Sequence, residues 1–439
     1  MAAQMSTILA LSGASVLANH GKDYSPPPAL SALRAALQEQ LDELSKAHPE
    51  WSLQLGWASD EGSFGLAAGT VQQPSGTGQW AWPWERSNPR PTGIYDKFLF
   101  GSGTKPLTSV AVLRLMEQGV LSLDDPVAMH VDKLLAAKNG TSMTALFGQE
   151  AANVTVGHLI RMQSGLADFD TPSLDDAILK HGDQSWPPYA ILRAAGSSQP
   201  PMHFAPGSMT EYSSTNYVLA GLVLLAHDEG ARGAWERLDL FGLIFPPAVR
   251  PRYANVSFID DELISSTATV PGFSGMIKGE LTTIWAQRGG VLGWTCGNMA
   301  ASTLDVAQFY RNLLVTKTIL QPATVELMES FNVLNYGWEK GRLWYGAGLM
   351  IEQSASAHDH TITFPPDFRQ WGSYIGHGGD TYGFLSEQGI VGGLGNASFS
   401  VVANMDYETS FVQGAMACRT ISTAAKVLLN IKLNITCGT

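Results

Sequence analysis

A serine and a lysine three residues apart open the functional reading: Ser102 and Lys105, in the run Phe100-Gly101-Ser102-Gly103-Thr104-Lys105. In the first turn of a helix, positions i and i+3 share a face, so the ammonium reaches the hydroxyl. A serine hydroxyl is a weak nucleophile, and a neighbouring amine of lowered pKa can take its proton. The helix N-terminus adds backbone N–H groups and a positive dipole where an oxyanion would develop. A second candidate is Tyr212, in Glu211-Tyr212-Ser213-Ser214, after a Pro206-Gly207 turn and ahead of a helix. A third is His377, in Gly376-His377-Gly378-Gly379-Asp380, at the end of an expected strand over 371–375. Glycines there allow another backbone to approach closely. A phosphate-loop reading of 100–105 fails, because Pro106 follows Lys105 and the glycine spacing is wrong.

The elements that must position these residues follow from periodicity. Leu30, Leu33, Leu37, Leu41 and Leu44 recur at helical spacing after Pro26-Pro27-Pro28. Trp51, Leu53, Leu55 and Trp57 alternate with polar or small residues, and Asp60-Glu61-Gly62 turns into a second strand over 64–71. A short strand over 97–100 gives way to a helix over about 104–118, closed by Gly119. Helical stretches dominate 105–330; short strands are expected over 345–351, 371–375, 383–391 and 398–404, then a helix over 411–430. The fold class is therefore α+β: an antiparallel sheet from about 48–100 and 340–439, flanked by helices, with a helical subdomain inserted at 105–330. Residues 30–439 read as one catalytic unit. The Pro-rich segment 74–93, with Trp80, Trp82 and Trp84, is a loop that either rims a pocket or is pinned by its aromatic rings.

Composition narrows the function. The chain has 439 residues, 45% hydrophobic and 15% charged, with a net charge of −12 and no basic stripe. Nucleic acid is excluded as a partner on charge grounds. No run reaches membrane-span length. No motif implies a metal or cofactor: His358-Asp359-His360 reads as a polar loop. Residues 5–18 are mostly apolar, with Val16 and Ala18 before a cleavage point, so 1–18 reads as a signal segment, the alternative being a frayed tail or a buried leading helix. Asn139, Asn153, Asn255, Asn396 and Asn434 each begin an Asn-x-Ser/Thr triplet, where chance gives roughly two. A secreted protein is expected, in which Cys418 and Cys437 can pair.

The order Ser-x-x-Lys, Tyr turn, His-Gly-Gly resembles the serine β-lactamase-related hydrolases of the class C β-lactamase and D-alanyl-D-alanine carboxypeptidase type. Supporting segments are GVLSLDDPV at 119–127, VTVGHLIRMQSGL at 154–166 and STLDVAQF at 302–309. The resemblance implies the β-lactamase/transpeptidase-like fold, with Ser102 as the acylated nucleophile and Lys105 as its proton acceptor. It makes Tyr212 the acid/base toward leaving group and water, and His377 the third-motif residue. The backbone N–H groups of Ser102 and Asp380 become the oxyanion hole. Ser214, Gly378 and Gly379 fall at substrate-binding positions. Ser214 stands where the family has Asn, and Gly378 where Thr often offers a hydroxyl to a substrate carboxylate. These departures favour an esterase, amidase or acyl-transferring relative, and with the signal segment the expectation is a secreted hydrolase of a small ester or amide, acting on a small-molecule or peptide-like acyl substrate. The alternatives are a β-lactamase or carboxypeptidase, and a non-catalytic scaffold of the same fold. The oligomeric state is left open.

Overall fold

The computed structural model describes residues 27–73, 87–180, 184–275, 282–337, 343–353, 373–406 and 412–433, together with Cys437. The segment 1–18, the three tryptophans of the 74–93 loop, His358-Asp359-His360 and Asn434 lie outside them.

The main sheet has nine strands, numbered here in chain order: β1 Ser52–Ser59, β2 Gly62–Gln73, β3 Ser87–Pro91, β4 Asn332–Val333, β5 Trp344–Tyr345, β6 Met350–Gln353, β7 Ser373–Thr381, β8 Phe384–Val391 and β9 Ala397–Ala403. Their order across the sheet is β3-β2-β1-β9-β8-β7-β6-β5-β4. The two chain ends meet at the antiparallel β1–β9 seam, where Leu55 faces Val401. This is the sheet of both termini expected from the sequence.

The helix Pro28–Ala47 buries Leu30, Leu33, Leu37 and Leu41, one apolar stripe at helical spacing, and shares a core with Val412–Leu429. Alternation along β1 suggests one wet face, yet both faces are buried. The polar side is covered by the helix Thr303–Tyr310: Gln54 Oε1 accepts the Thr303 N–H at 2.7 Å. That helix therefore belongs to the sheet layer, although it falls within 105–330 in sequence. The expected 345–351 strand is two strands, β5 and β6, joined at a turn. The expected 371–375 strand runs on to Thr381, so His377, Gly378 and Gly379 sit inside β7 rather than at its end. Their backbone groups pair with β8 there, and the glycines extend the strand past the point where the side-chain alternation stops.

The helical side packs around Thr215–His227, which is apolar on every face and buried from Thr215 to Leu225. Between the layers lies a small sheet in which Met299–Ala301 pairs with both Phe98–Leu99 and Val256–Phe258. It fixes the chain just before Ser102.

Cys418 and Cys437 are disulfide-bonded, tying the end of the chain to the last helix across 19 residues of sequence. Closing a loop of that size stabilises a fold by about 3 kcal/mol, chiefly through the unfolded chain. Cys418→Ser is expected to lower unfolding free energy by about that amount. An unchanged denaturation midpoint would contradict it. Asn153 and Asn396 are exposed, whereas the Asn139 amide donates to the Tyr189 carbonyl at 3.3 Å. No described helix is long and apolar enough to cross a membrane.

Candidate active site

Ser102 lies in a tight 3₁₀ turn, Gly101–Thr104, that runs directly into the helix Lys105–Glu117. The turn is possible because Gly101 has φ +47°, and because a Cβ there would lie 2.4 Å from the Asp380 carbonyl oxygen. Gly379 makes the reciprocal demand: a Cβ on it would lie 2.0 Å from the Phe100 carbonyl oxygen. Two glycines distant in sequence thus let β7 press against the nucleophile turn. Ser102 and Asp380 consequently face one cavity of about 540 Å³.

Lys105 is fully buried, and its Nζ donates to Ser102 Oγ at 2.8 Å. A second Nζ hydrogen bond, 3.3 Å, goes to the Cys296 carbonyl. The segment around Cys296 is itself locked to the helix: Thr108 donates to the Thr295 carbonyl, and Thr104 Oγ1 accepts the Met299 N–H. A backbone carbonyl has no residue signature, so this partner of Lys105 was invisible in the sequence.

Tyr212 reaches the same point from the opposite side. Its loop is pinned by Glu211 N–H to the Met162 carbonyl at 2.9 Å and by Ser214 N–H to Asp168 Oδ1 at 2.9 Å. The phenol interacts with both the Lys105 amine and the Ser102 hydroxyl, and Nζ sits 5.0 Å from the ring centre. Ser102, Lys105 and Tyr212, spread over more than a hundred residues of chain, therefore meet around one hydroxyl.

His377 stands behind this trio and does not line the cavity. It is fully buried. Its Nδ1 lies 2.6 Å from the Gly378 carbonyl, which requires the proton on Nδ1 and leaves Nε2 an acceptor. The Tyr345 hydroxyl lies 3.3 Å from Nε2 and 3.2 Å from the Tyr217 hydroxyl. Burial, reinforced by the nearby Lys105 charge, pulls His377 down to about 3, so it is neutral at physiological pH. It provides no positive charge to a substrate anion. Tyr345, whose ring stands edge-on to those of Tyr212 and His377, was not singled out in the sequence: one tyrosine in a two-residue strand carries no signal.

The expected lowered pKa of Lys105 is not what the site produces. Burial pulls the amine down, but the Tyr212 oxygen, the Cys296 thiol, a Tyr212 hydrogen bond and Asp168 outweigh it, and the net shift is upward. Tyr212 is also raised, by burial, against the opposing pull of Lys105. The resting site is thus ammonium and phenol, and forming a base means removing one proton from a pair held above ordinary values. Turnover is therefore expected to be still climbing with pH above about 8, with no limb from His377. A rate profile flat from about pH 6 to 9 would contradict this. Cys296, the one free cysteine among the described residues, also lines the cavity, but burial pushes its thiol up to about 12. It is a poor competitor for the role of nucleophile.

Ser214, Gly378 and Gly379 all line the cavity, as do Asp168, Asp170 and Asp175, which sequence reasoning passed over. A signal was present: three aspartates within eight residues follow directly on the Ser164-Gly165-Leu166 run. Among the described residues no group of His, Cys, Asp and Glu is arranged to hold a metal ion.

The Beta-lactamase family model matches residues 85–415, which contain every side chain of this site. Protein flp of Staphylococcus aureus is 31% identical over 128 residues, 29% of this chain and 22% of that protein, so the match spans about a fifth of the curated relative. Among solved structures, the D-amino acid amidase of Ochrobactrum anthropi complexed with L-phenylalanine amide aligns over 91% of this chain and 99% of its own, with TM-score 0.65 and 17% identity. The octameric penicillin-binding protein homologue of Pyrococcus abyssi aligns over 92% and 78%, with TM-score 0.61 and 19% identity. These two share the fold. With the family model spanning most of its length, the chain belongs to the Beta-lactamase family and has the β-lactamase/transpeptidase-like fold.

Proposed function

We propose that the protein is a secreted serine hydrolase that acylates Ser102 and hydrolyses a small amide or ester. The observation that carries this reading is the 2.8 Å contact from Lys105 Nζ to Ser102 Oγ, with Tyr212 beside both and the cavity in front. In the first half-reaction the Lys105–Tyr212 pair, one proton short, takes the Ser102 proton as Oγ attacks the substrate carbonyl carbon. The backbone N–H groups of Ser102 and Asp380 receive the oxyanion. Collapse breaks the bond to the leaving group, which departs with a proton from Tyr212. Water then attacks the acyl-enzyme, giving its proton back through Tyr212, and the acid leaves as Ser102 regains its hydrogen.

The site favours an ester or amide over a β-lactam or a D-alanyl peptide. Both of the latter carry a carboxylate, and here the third-motif histidine is neutral while Gly378 offers no hydroxyl. The amidase of similar fold supports the amide reading. The disulfide and the exposed acceptors Asn153 and Asn396 support secretion. A panel of a short-chain nitrophenyl ester, an amino-acid nitroanilide and a chromogenic cephalosporin tests the assignment. Hydrolysis of ester or anilide, lost on fluorophosphonate treatment, is expected. Cephalosporin turnover alone would return the β-lactamase reading, and no turnover with no labelling would leave a scaffold.

A further inference from the structure

The hydrolase reading leaves the substrate's charge open, and the cavity wall bears on it. Among the described residues that line it there is no lysine, arginine or histidine, while six carboxylate residues are present. Three of the six have other ties: Glu211 pairs with His203 at 2.7 Å, Glu387 accepts the Tyr374 hydroxyl, and Asp380 belongs to the β7 backbone beside Ser102. Asp168, Asp170 and Asp175 remain. No described Lys or Arg forms an ion pair with any of them. Asp168 Oδ1 accepts the N–H groups of Ser214 and Asp170, at 2.9 and 3.3 Å, Tyr382 donates to Asp175 at 2.8 Å, and the Asp170 and Asp175 side chains interact with each other.

A second observation points to a ligand at the same place. Ser214 is only 3% exposed and lines the cavity, and its hydroxyl has no hydrogen-bond partner among the described residues. Its own N–H is bonded to Asp168, so a hydroxyl without a described partner stands next to a carboxylate whose nearby cation is the buried Lys105 ammonium, already bonded to Ser102. Where Asn would fill this position, Ser leaves room for a further polar group.

We propose that Asp168, Asp170, Asp175 and the Ser214 hydroxyl form a subsite for a protonated amine, so that the substrate carries an ammonium group near its scissile carbonyl. The inference rests on the reading of Ser102 as nucleophile and adds the charge of what it attacks. An ammonium has three donors for these acceptors and cancels charge that the wall otherwise concentrates. In support, burial and the neighbouring Asp170 charge hold Asp168 and Asp175 well above the usual carboxylate range, even against the opposing pull of Lys105 on Asp168 and of Tyr382 on Asp175.

The test separates binding from chemistry. Calorimetry on Ser102→Ala compares phenylalanine amide with N-acetyl-phenylalanine amide, in both enantiomers, near pH 7. The free amine is expected to bind roughly 10- to 100-fold more tightly, the range for a hydrogen bond to a charged group. Adding Asp168→Asn should reduce that preference below about threefold, while the thermal midpoint stays level or rises, since a raised carboxylate destabilises the empty fold above its pKa. Asp170→Asn, at the exposed rim, supplies the comparison should Asp168→Asn fold poorly. Equal affinity for amine and amide, tighter binding of a succinylated analogue, or no binding of the amine at millimolar concentration overturns the proposal. Fluorophosphonate labelling of the wild-type protein reads the hydrolase assignment separately: labelling without amine preference sinks only the subsite, and amine preference without labelling sinks only the nucleophile.

Discussion

Ser102→Ala should reduce kcat by at least about 10⁴-fold with little change in KM. The substitution removes one oxygen, and with it the Lys105 contact, but leaves the left-handed Gly101, the 3₁₀ turn and the Lys105–Glu117 helix in place, because these are set by the backbone and by Gly101 rather than by the Ser102 side chain. The two N–H groups assigned to the oxyanion hole belong to the backbone and survive it. Whatever rate persists is what the oxyanion hole and substrate positioning provide over water. Measured at saturating ester, alongside an unfolding free energy within about 1 kcal/mol of the parent, the loss isolates nucleophilic attack from folding. A tenfold loss or less would remove Ser102 from the chemistry.

Tyr212→Phe carries the second large expectation, a fall in kcat of about 10³-fold at similar KM. The ring keeps its packing against Tyr345 and His377, so only the hydroxyl that interacts with Lys105 and Ser102 is lost. Lys105→Met, which fills the buried stem without the amine, should cost a comparable amount. Because the two groups share one proton, the double variant should be hardly slower than either single one. Full additivity would mean that amine and phenol act in separate steps, against the shared-proton site described above. The comparison is robust to packing damage in Lys105→Met, since Tyr212→Phe alone sets the reference.

The parts of this site legible in the sequence are those that depend on residue type at fixed local spacing. Ser102 and Lys105 share a helix face whatever surrounds them. The leucine stripe of 30–44 and the Trp/Leu alternation of 51–57 reported a helix and a strand because local periodicity governs both. What escaped notice depends on long-range contact. The Cys296 carbonyl meets Lys105 only because 294–299 packs on the same helix, and β1 loses its wet face only because Thr303–Tyr310 lies across it. The charge states escaped for the same reason. The serine–lysine spacing suggested an amine of lowered pKa; burial does pull Lys105 down, but a phenol, a thiol and a carboxyl from three other segments reverse the sign. His377 was placed by its glycines, yet its neutrality follows from an enclosure that no local pattern encodes. The strand around it ran longer than expected because glycine, a poor predictor of strand, is here the residue that lets two backbones touch.

The central claim is a covalent intermediate on Ser102, and intact-mass spectrometry tests it most directly. The protein is mixed with an ester or amide under turnover, quenched in acid within seconds, weighed, and then digested to map the added mass. The result expected is a shift equal to the acyl group, carried by the peptide containing Ser102 and absent from Ser102→Ala. Turnover with an unmodified Ser102 peptide, or with the acyl group on a different residue, would contradict the account.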